Sequence, residues 1–385
     1  MRNTNKKGFT IVELVIVVAV IAILAAVLIP TFSSIIKKAN QSADQQAVTN
    51  MNKLLATEAK AEDVDGVIEI LIKNSYAGDL TTYFAGYSLA WVKSENAIVL
   101  VENDAIVYPA NLAGKELAYE VIKPMATDGE ALAGGLEDGK TVYVGGDVTV
   151  DGLAPEAAGD YIVKLNGNTL NSTASVGSWV VDSKLVLSNG TVSSTNDRVG
   201  ILAKAGGSVE LNNVQVYSAS AANTLQCYGG TLVLNNVTAF QHGVNEENWY
   251  NSAIQIINTI KQEEGREKVW TVYGDQANTT VNSGNYSGKI AVQISAPGGN
   301  VTINGGNFTG TQYVIQGDFA PGNYNDGANY ESVITINDGN FTGAIKISAA
   351  TKLVINGGTF TVDPTAWVST GKTVVNNGNG TWTVK

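Results

Sequence analysis

The sequence is poor in the side chains that most often carry catalysis or cross-link strands. Its 385 residues include one cysteine, Cys227, and one histidine, His242. A single cysteine excludes an intrachain disulfide, and a catalytic thiol would have only His242 as an imidazole base. Charged residues make up 15%, with 24 Lys and Arg against 35 Asp and Glu, for a formal net charge of −11. This shortage of clustered basic residues argues against nucleic acid as a partner.

Charge is almost missing from the segment that follows a short basic leader. The leader contains Arg2, Lys6 and Lys7, and residues 9–29 then include one charged residue, Glu13. These 21 residues are enough to cross a bilayer as a helix at ~1.5 Å per residue. A carboxylate inside such a segment costs roughly 2.5–3.5 kcal/mol on insertion scales, so Glu13 needs a partner.

The run Lys6-Lys7-Gly8-Phe9-Thr10-Ile11-Val12-Glu13-Leu14 resembles the N-terminus of type IV prepilins and of the pseudopilins of type II secretion. The resemblance covers about residues 1–60. It implies that the prepilin peptidase cuts between Gly8 and Phe9 and that Phe9 is then N-methylated. It also implies that Glu13 is the glutamate of the family and that Pro30 lies where many of these helices bend. No cofactor is implied.

Processing of this kind gives Glu13 a partner. Cleavage removes the leader 1–8 and leaves a cationic amine on Phe9, which can pair with the Glu13 carboxylate of a neighbouring subunit when the helices bundle. Other pilin or pseudopilin subunits are therefore expected partners, with the cytoplasmic membrane before assembly. The basic leader predicts a single-pass protein with its N-terminus inside and the rest outside the cell. An ordinary signal anchor or a secretory signal peptide is the alternative, but the apolar core of a secretory signal is shorter than this run.

The apolar pattern continues beyond Pro30 at helical spacing and predicts one helix over 9–61. Residues 62–125 predict a small α+β head, similar to pilin heads. In this head, Asp63, Asp65 and Gly66 begin a helix that ends at Lys73, and strands follow at 87–92, 97–102 and 105–108. Residues 126–160 are expected to be a linker and cap with strands at 141–144 and 147–150.

From residue 161 to 385 a repeat appears, in which a short strand ends at a polar residue before an Asn-Gly type turn. The polar residues fall at 166, 188, 212, 235, 282, 304, 337 and 356. A period near 22 residues with insertions is typical of a solenoid. We interpret the 47-residue interval after Asn235 as one repeat with a protrusion at 261–268, and 317–331 as a second insertion.

This repeat resembles the right-handed parallel β-helix of pectin-lyase-like proteins, with about eight to ten coils. The predicted fold class is therefore multidomain: a long N-terminal helix, a small α+β head and an all-β solenoid. Successive asparagine side chains are expected to hydrogen-bond along the axis as an amide ladder. Gln226, Gln255, Gln293 and Gln316 predict a second, outward column. A flat β-sandwich is the alternative fold.

Two functions follow. The first is a surface filament subunit, a minor type IV pilin or pseudopilin, whose β-helical head binds a glycan or a surface protein. The candidate ligand-binding residues are aromatic side chains and one histidine in or near the insertions: His242, Trp249, Tyr250, Trp270, Tyr273, Tyr324 and Tyr330. The alternative is an envelope-tethered polysaccharide lyase or hydrolase. The best candidate residues for such an enzyme are Asp182, Asp197 and Arg198. The sequence shows no pair of carboxylates on one face and no metal-binding set, so no catalytic or metal residue is predicted.

Overall fold

The structure is a computed structural model of the 385-residue chain, and it divides into two compact units, Met1–Pro124 and Met125–Lys385. Each unit is described by itself. The residues described are 10–81, 86–152, 159–173, 179–181, 183–194, 199–218, 223–241, 251–258, 260–262, 270–272, 276–295, 298–317, 324–325, 331–348 and 351–385.

The first unit begins with a 45-residue helix, α1, Ile11–Leu55. The predicted helix over 9–61 is therefore present, but its end near residue 61 was wrong. Leu55 is the last buried apolar residue of the helical stripe, and residues 56–60 are exposed. The chain leaves the helix in a tight turn, in which the amide of Thr57 donates to the carbonyl of Leu54 at 2.8 Å. Without apolar contacts beyond Leu55, nothing stabilises a further turn of helix.

The rest of the first unit has the predicted helix and strands, with additions. Its elements are α2 Val64–Lys73, α3 Ala77–Thr81, β1 Ser88–Val92, β2 Ala97–Glu102, β3 Ala105–Tyr108 and β4 Glu120–Val121. The strands form an antiparallel sheet in the order β3-β2-β1-β4. Asp63 caps α2, because its carboxylate accepts the amide of Gly66 at 2.8 Å. The sequence predicted neither α3 nor β4, which are short.

Polar side chains fix α1 to the sheet at defined positions. The amide of Asn52 accepts from the backbone N–H of Ile98 at 2.6 Å and donates to the carbonyl of the same residue at 2.9 Å. The hydroxyl groups of Thr49 and Tyr108 are 2.6 Å apart. Val48, Met51 and Leu55 of the helix are buried. The distal part of α1 is thus an integral part of the core of the first unit.

The second unit consists mainly of short strands after one helix, α4 Gly129–Gly135. The first strands are β5 Thr141–Tyr143, β6 Val148–Val150, β7 Asp160–Lys164, β8 Thr169–Ser172, β9 Trp179–Val181, β10 Lys184–Ser194, β11 Val199–Lys204, β12 Ser208–Ser218, β13 Asn223–Tyr228, β14 Thr231–Asn235, β15 Val237–Gln241 and β16 Ser252–Ile257. They are followed by β17 Ile260–Gln262, β18 Trp270–Val272, β19 Asn278–Val281, β20 Gly284–Ile294, β21 Asn300–Ile303, β22 Asn307–Gly317, β23 Tyr324–Asn325 and β24 Ser332–Ile336. The last are β25 Asn340–Thr342, β26 Ile345–Ile347, β27 Thr351–Ile355, β28 Gly358–Phe360, β29 Val374–Asn376 and β30 Trp382–Val384, with a short 3-10 helix at Thr365–Trp367.

Most of these strands pair in parallel with the strand one repeat later. Column A is the series β5, β7, first half of β10, first half of β12, β14, β19, β21, β24 and β27. Column B is the series β6, β8, second half of β10, second half of β12, β15, first half of β20, first half of β22, β25 and β28. Column C is the series β9, β11, β13, β16, second half of β20, second half of β22 and β26. The second unit is therefore a large β-rich region, and its parallel pairing already includes residues 141–150, upstream of the expected boundary at 161.

The predicted amide ladder runs along the end of column A. Its bonds join Asn235 to Asn212 at 2.7 Å, Asn282 to Asn235 at 2.6 Å, Asn304 to Asn282 at 2.7 Å, Asn337 to Asn304 at 2.8 Å and Asn356 to Asn337 at 2.9 Å. Asn166 was wrongly included in this series. Lys164 is the residue that pairs with Ser188, and the side chain of Asn166 donates to the carbonyl of Val144 at 3.2 Å. The predicted alignment of the first repeat with the second was therefore shifted by two residues.

The corner between columns A and B explains the Asn and Gly content of the repeat. Its backbone is left-handed at Asn189, with φ of 59°, and at Asn236, with φ of 53°. Later repeats use glycine at the corner, and a Cβ added to Gly284 would lie 2.0 Å from the carbonyl oxygen of Val237. Only glycine avoids that clash.

Large apolar residues follow the corner and stack inside the unit. The rings of Tyr286, Phe308, Phe341 and Phe360 stack in sequence with centroids 5.0, 4.9 and 4.8 Å apart. All four are buried. The parallel register thus repeats both the polar ladder outside and the aromatic stack inside.

The long interval between Asn235 and Asn282 is one repeat, as predicted. Thr231 pairs directly with Asn278, although 47 residues separate the two ladder asparagines. The extra residues include β17 and β18, which pair antiparallel with each other, and β18 also pairs with β23 of the second insertion. The two insertions therefore meet in one small three-stranded sheet, which the sequence did not predict.

We predict that Asn52→Leu loosens the attachment of α1 to β2. The buried N–H and carbonyl of Ile98 would lose their partner, at a cost of about 2–3 kcal/mol. Amide exchange within β2, measured by mass spectrometry on the full chain in detergent, is expected to accelerate by about 30-fold or more. Asn50→Leu is the control, because the Asn50 side chain bonds only to Gln46 of the same helix among the hydrogen bonds described here. Equal exchange in both variants would contradict this role of Asn52.

We predict that Asn304→Ala destabilises the second unit by about 1–3 kcal/mol, because it removes two ladder hydrogen bonds. The urea midpoint of the second unit in the full chain measures the effect. Gln312→Ala is the matched control, since Gln312 is exposed in the following strand, β22, away from the ladder. It is expected to change stability by less than about 0.5 kcal/mol. A ladder variant no less stable than this control would show that the ladder contributes nothing.

Candidate functional site

The first turn of α1 has a defined hydrogen-bonded geometry around Glu13. Its carboxylate accepts from both the backbone N–H and the hydroxyl of Thr10 at 2.8 Å, and the amide of Glu13 donates to the Thr10 hydroxyl at 3.3 Å. This reciprocal arrangement is a capping box. It keeps the negative charge at the positive end of the helix dipole. Gly8 and Phe9 lie outside the described residues.

The apolar surface of α1 is not covered by the chain itself. Ile11 is 81% exposed and Phe32 is 58% exposed, and the most apolar stretch of the helix buries none of its residues. By length and composition this helix can cross a membrane. Contiguous exposed apolar surface of this size marks a membrane or protein contact.

Pro30 lies within α1, and the helix is continuous through it. Proline has no N–H to donate to the carbonyl of Ala26, so one backbone bond is missing from the helix. Nearby hydroxyl groups bond to the backbone, since Thr31 donates to the carbonyl of Val27 at 2.8 Å and Ser34 to that of Thr31 at 2.9 Å. The bend expected at Pro30 stays a prediction.

Residues 3–29 match the family described as the prokaryotic N-terminal methylation motif. The chain carries this motif. It is also 60% identical over 38 residues to the type IV wide pilus major component PilA4 of Thermus thermophilus, a match that covers 10% of the chain and 29% of that protein. No solved structure matches the chain. The methylation motif and the apolar helix together fit a membrane-anchored, pilus or surface protein, and point to a structural subunit.

The methylation motif accounts for α1 but not for the second unit, where the candidate ligand-binding residues lie. His242, Trp249, Tyr250, Tyr273 and Tyr330 lie outside the described residues, as do Asp182, Asp197 and Arg198.

The backbone of two other candidates is described, and the structure brings them together. Trp270 of β18 and Tyr324 of β23 are direct register partners, although 54 residues of sequence separate them. The signal that could have predicted this contact is weak, because each strand has only two or three residues and lies within an insertion. Ligand binding at these positions remains a prediction.

The glutamine column is present, but it is not outward throughout. Gln226, Gln255, Gln293 and Gln316 are successive register partners in column C. Gln255 is fully buried and Gln293 nearly so. The Gln255 side chain accepts from Gln226 and from Asn223, the latter at 2.6 Å, and donates to Ser295 at 2.8 Å. Burial of an amide without partners would be costly, and these hydrogen bonds supply the partners. The role of the buried glutamines is therefore structural.

The thiol of Cys227 is buried and unsuited to nucleophilic catalysis. Burial raises the pKa of Cys227 from its ordinary value of 9.0 to about 11. The sulfur lies 3.1 Å from the carbonyl oxygen of Gly230. Among the described parts of the chain, no three His, Cys, Asp or Glu residues lie close enough to hold a metal ion.

We predict that Cys227 makes the stability of the second unit depend on alkaline pH. The folded-state pKa is raised, so the stabilisation is complete below pH 9 and is lost as the pH rises towards 11, by about 2–3 kcal/mol in total. Urea unfolding of the wild type and of Cys227→Ala between pH 8 and pH 11 measures the difference in free energy of unfolding. The advantage of the wild type is expected to shrink over this interval. A constant difference would contradict the buried, protonated thiol.

Proposed function

We propose that the chain is a subunit of a surface filament, a minor type IV pilin or a pseudopilin, that displays a β-helical binding head. The observation that carries this proposal is the methylation motif at residues 3–29, followed by an apolar helix whose surface the chain leaves uncovered. Copies of the same helix, or lipid before assembly, would cover that surface. The match to a wide pilus major component over 38 residues supports the same assignment.

In this proposal the prepilin peptidase cuts between Gly8 and Phe9, and the new N-terminal amine of Phe9 is methylated. The basic leader remains inside, and the chain after α1 lies outside the cytoplasmic membrane. Glu13 of one subunit then pairs with the Phe9 amine of a neighbour. The exposed position of the Glu13 carboxylate in the first helical turn supports this pairing.

The head has two parts in this proposal. Residues 62–125 form a pilin-like α+β domain with the distal half of α1, and 141–385 form a right-handed parallel β-helix capped by 126–140. Support for the β-helix comes from the three columns of parallel strands, from the asparagine ladder and from the stacked rings that recur at the same register. These features are what coils of about 22 residues would produce.

The binding role rests on the insertions of this solenoid. Insertions on one solenoid often mark its working surface, and β17, β18 and β23 join the two insertions in one sheet. The aromatic residues of these segments, with His242, are the candidates for contact with a glycan or a surface protein.

The Glu13→Gln variant tests the assembly role of the charge. Glutamine keeps an oxygen that can accept the bonds from Thr10 but removes the negative charge. An unpaired Phe9 amine within the filament would cost several kcal/mol. We expect the amount of the variant in sheared surface filaments, relative to whole cells, to fall at least about tenfold.

Thr10→Ala is the matched control for this experiment. It removes the two cap hydrogen bonds of the Thr10 hydroxyl but leaves the Glu13 carboxylate, so normal incorporation is expected. If Glu13→Gln assembles as well as the wild type, the charge has no role in registration. If Thr10→Ala fails as strongly as Glu13→Gln, loss of the Thr10 hydroxyl alone blocks incorporation, and the charge of Glu13 does not explain the defect.

A further inference from the structure

A polar groove lies along the corner between columns A and B, separate from the insertions. Its volume is about 310 Å³, and its lining includes Asn236, Ser283, Asn285, Gly305, Asn307 and Asn340. We call it the corner groove. It extends over four successive repeats of the second unit, so its length is about three strand spacings, or ~14 Å.

A ladder of asparagine side chains lines the corner groove. In it Asn307 donates to Asn285 and Asn340 to Asn307, both at 2.9 Å. A primary amide has two N–H groups and an oxygen with two lone pairs, and a ladder bond uses one of each. The groove therefore presents a row of further donors and acceptors at steps of ~4.8 Å.

The base of the groove is formed by backbone, because the fold requires glycine there. Gly284, Gly306 and Gly339 have φ of 130°, 114° and 130°, and a Cβ on Gly306 would lie 3.0 Å from the carbonyl oxygen of Gly284. Side chains at these positions would be strained. Exposed glycine backbone is thus repeated at three successive steps of the ladder.

The groove is almost free of charge. Asp338 contributes the one charged side chain among its lining residues, and the remainder are asparagine, serine and glycine. Such a lining contains no large apolar side chain and no cation for an anionic ligand. It suits a ligand that carries both hydroxyl donors and hydroxyl acceptors in a regular series.

We propose that the corner groove binds a neutral, linear polysaccharide that lies parallel to the ladder. An extended chain of pyranose rings advances by roughly one ladder step per sugar, so that successive hydroxyl groups meet successive amides. An extended peptide advances by ~3.3–3.4 Å per residue and falls out of step with a spacing of ~4.8 Å. Uronic acid polymers are disfavoured by Asp338 and by the net charge of −11. This inference names the ligand class for the head of the proposed filament subunit, and therefore rests on that function.

Gly305 is the position at which the groove can be filled without a change to the ladder. Ser283, Gly305 and Asp338 occupy the same position in three successive repeats, because the strands on both sides are in register. The fold therefore accepts side chains at this position. Gly305→Tyr would fill the centre of the groove, and Gly305→Ser, which copies Ser283, is the matched control. Ser283→Tyr is a second variant that fills the groove from the neighbouring repeat.

The test measures binding of oligosaccharides to the full chain in detergent by titration calorimetry. The probes are the hexasaccharides of β-1,4-linked glucose and mannose, the matching disaccharides, and hexagalacturonate. We expect a neutral hexasaccharide to bind the wild-type chain. The disaccharides and hexagalacturonate are expected to bind at least about tenfold more weakly. Gly305→Tyr or Ser283→Tyr is expected to lower the affinity for the neutral hexasaccharide at least about tenfold. Gly305→Ser is expected to stay within about twofold of the wild type.

Several results would overturn the inference: no binding of either neutral hexasaccharide, tighter binding of hexagalacturonate, or equal affinity in the wild type and both tyrosine variants. Thermal unfolding shows whether each variant is folded. Incorporation of Gly305→Tyr into surface filaments is measured in parallel and is expected to be normal. Normal incorporation without glycan binding would reject the groove alone, whereas a wild-type chain absent from filaments would reject the proposed function.

Discussion

The architecture depends on the need to cover the exposed apolar surface of α1. The helix is long and apolar enough to span a membrane, yet its most apolar stretch is not buried by any other part of the described chain. Apolar surface of this extent is unstable in water, so lipid or further helices must cover it. The distal half of the same helix has the opposite role, because Asn52 and the buried residues around Met51 make it part of a folded core. One helix thus joins an assembly element to a folded unit.

In the second unit the corresponding constraint is strict parallel register. In the last four repeats, from Asn282 onward, the register brings asparagine over asparagine, ring over ring and glycine over glycine. A slip of one residue would turn the apolar side chains outward. The insertions do not disturb this register, because the chain leaves and rejoins the columns at fixed positions. Thr231 and Asn278, on either side of the first insertion, pair directly.

Much of the fold could be predicted from the sequence, and the failures have physical reasons. The methylation motif, α1, strands β1 to β3 and the asparagine ladder follow from local patterns that few other structures produce. The end of α1 was missed because Ala59 and Ala61 fit the helical stripe but have too little side chain to pack. The register error at Asn166 arose because several asparagines stand close together. The pairing of Trp270 with Tyr324 and the corner groove depend on distant segments, which no local pattern reveals.

Intact-mass spectrometry of the chain recovered from sheared surface material tests the central claim most directly. The account predicts a polypeptide that begins at Phe9, has lost residues 1–8 and carries one additional methyl group on its N-terminal amine. A chain that still begins at Met1, or one that begins beyond the apolar part of α1, would contradict it.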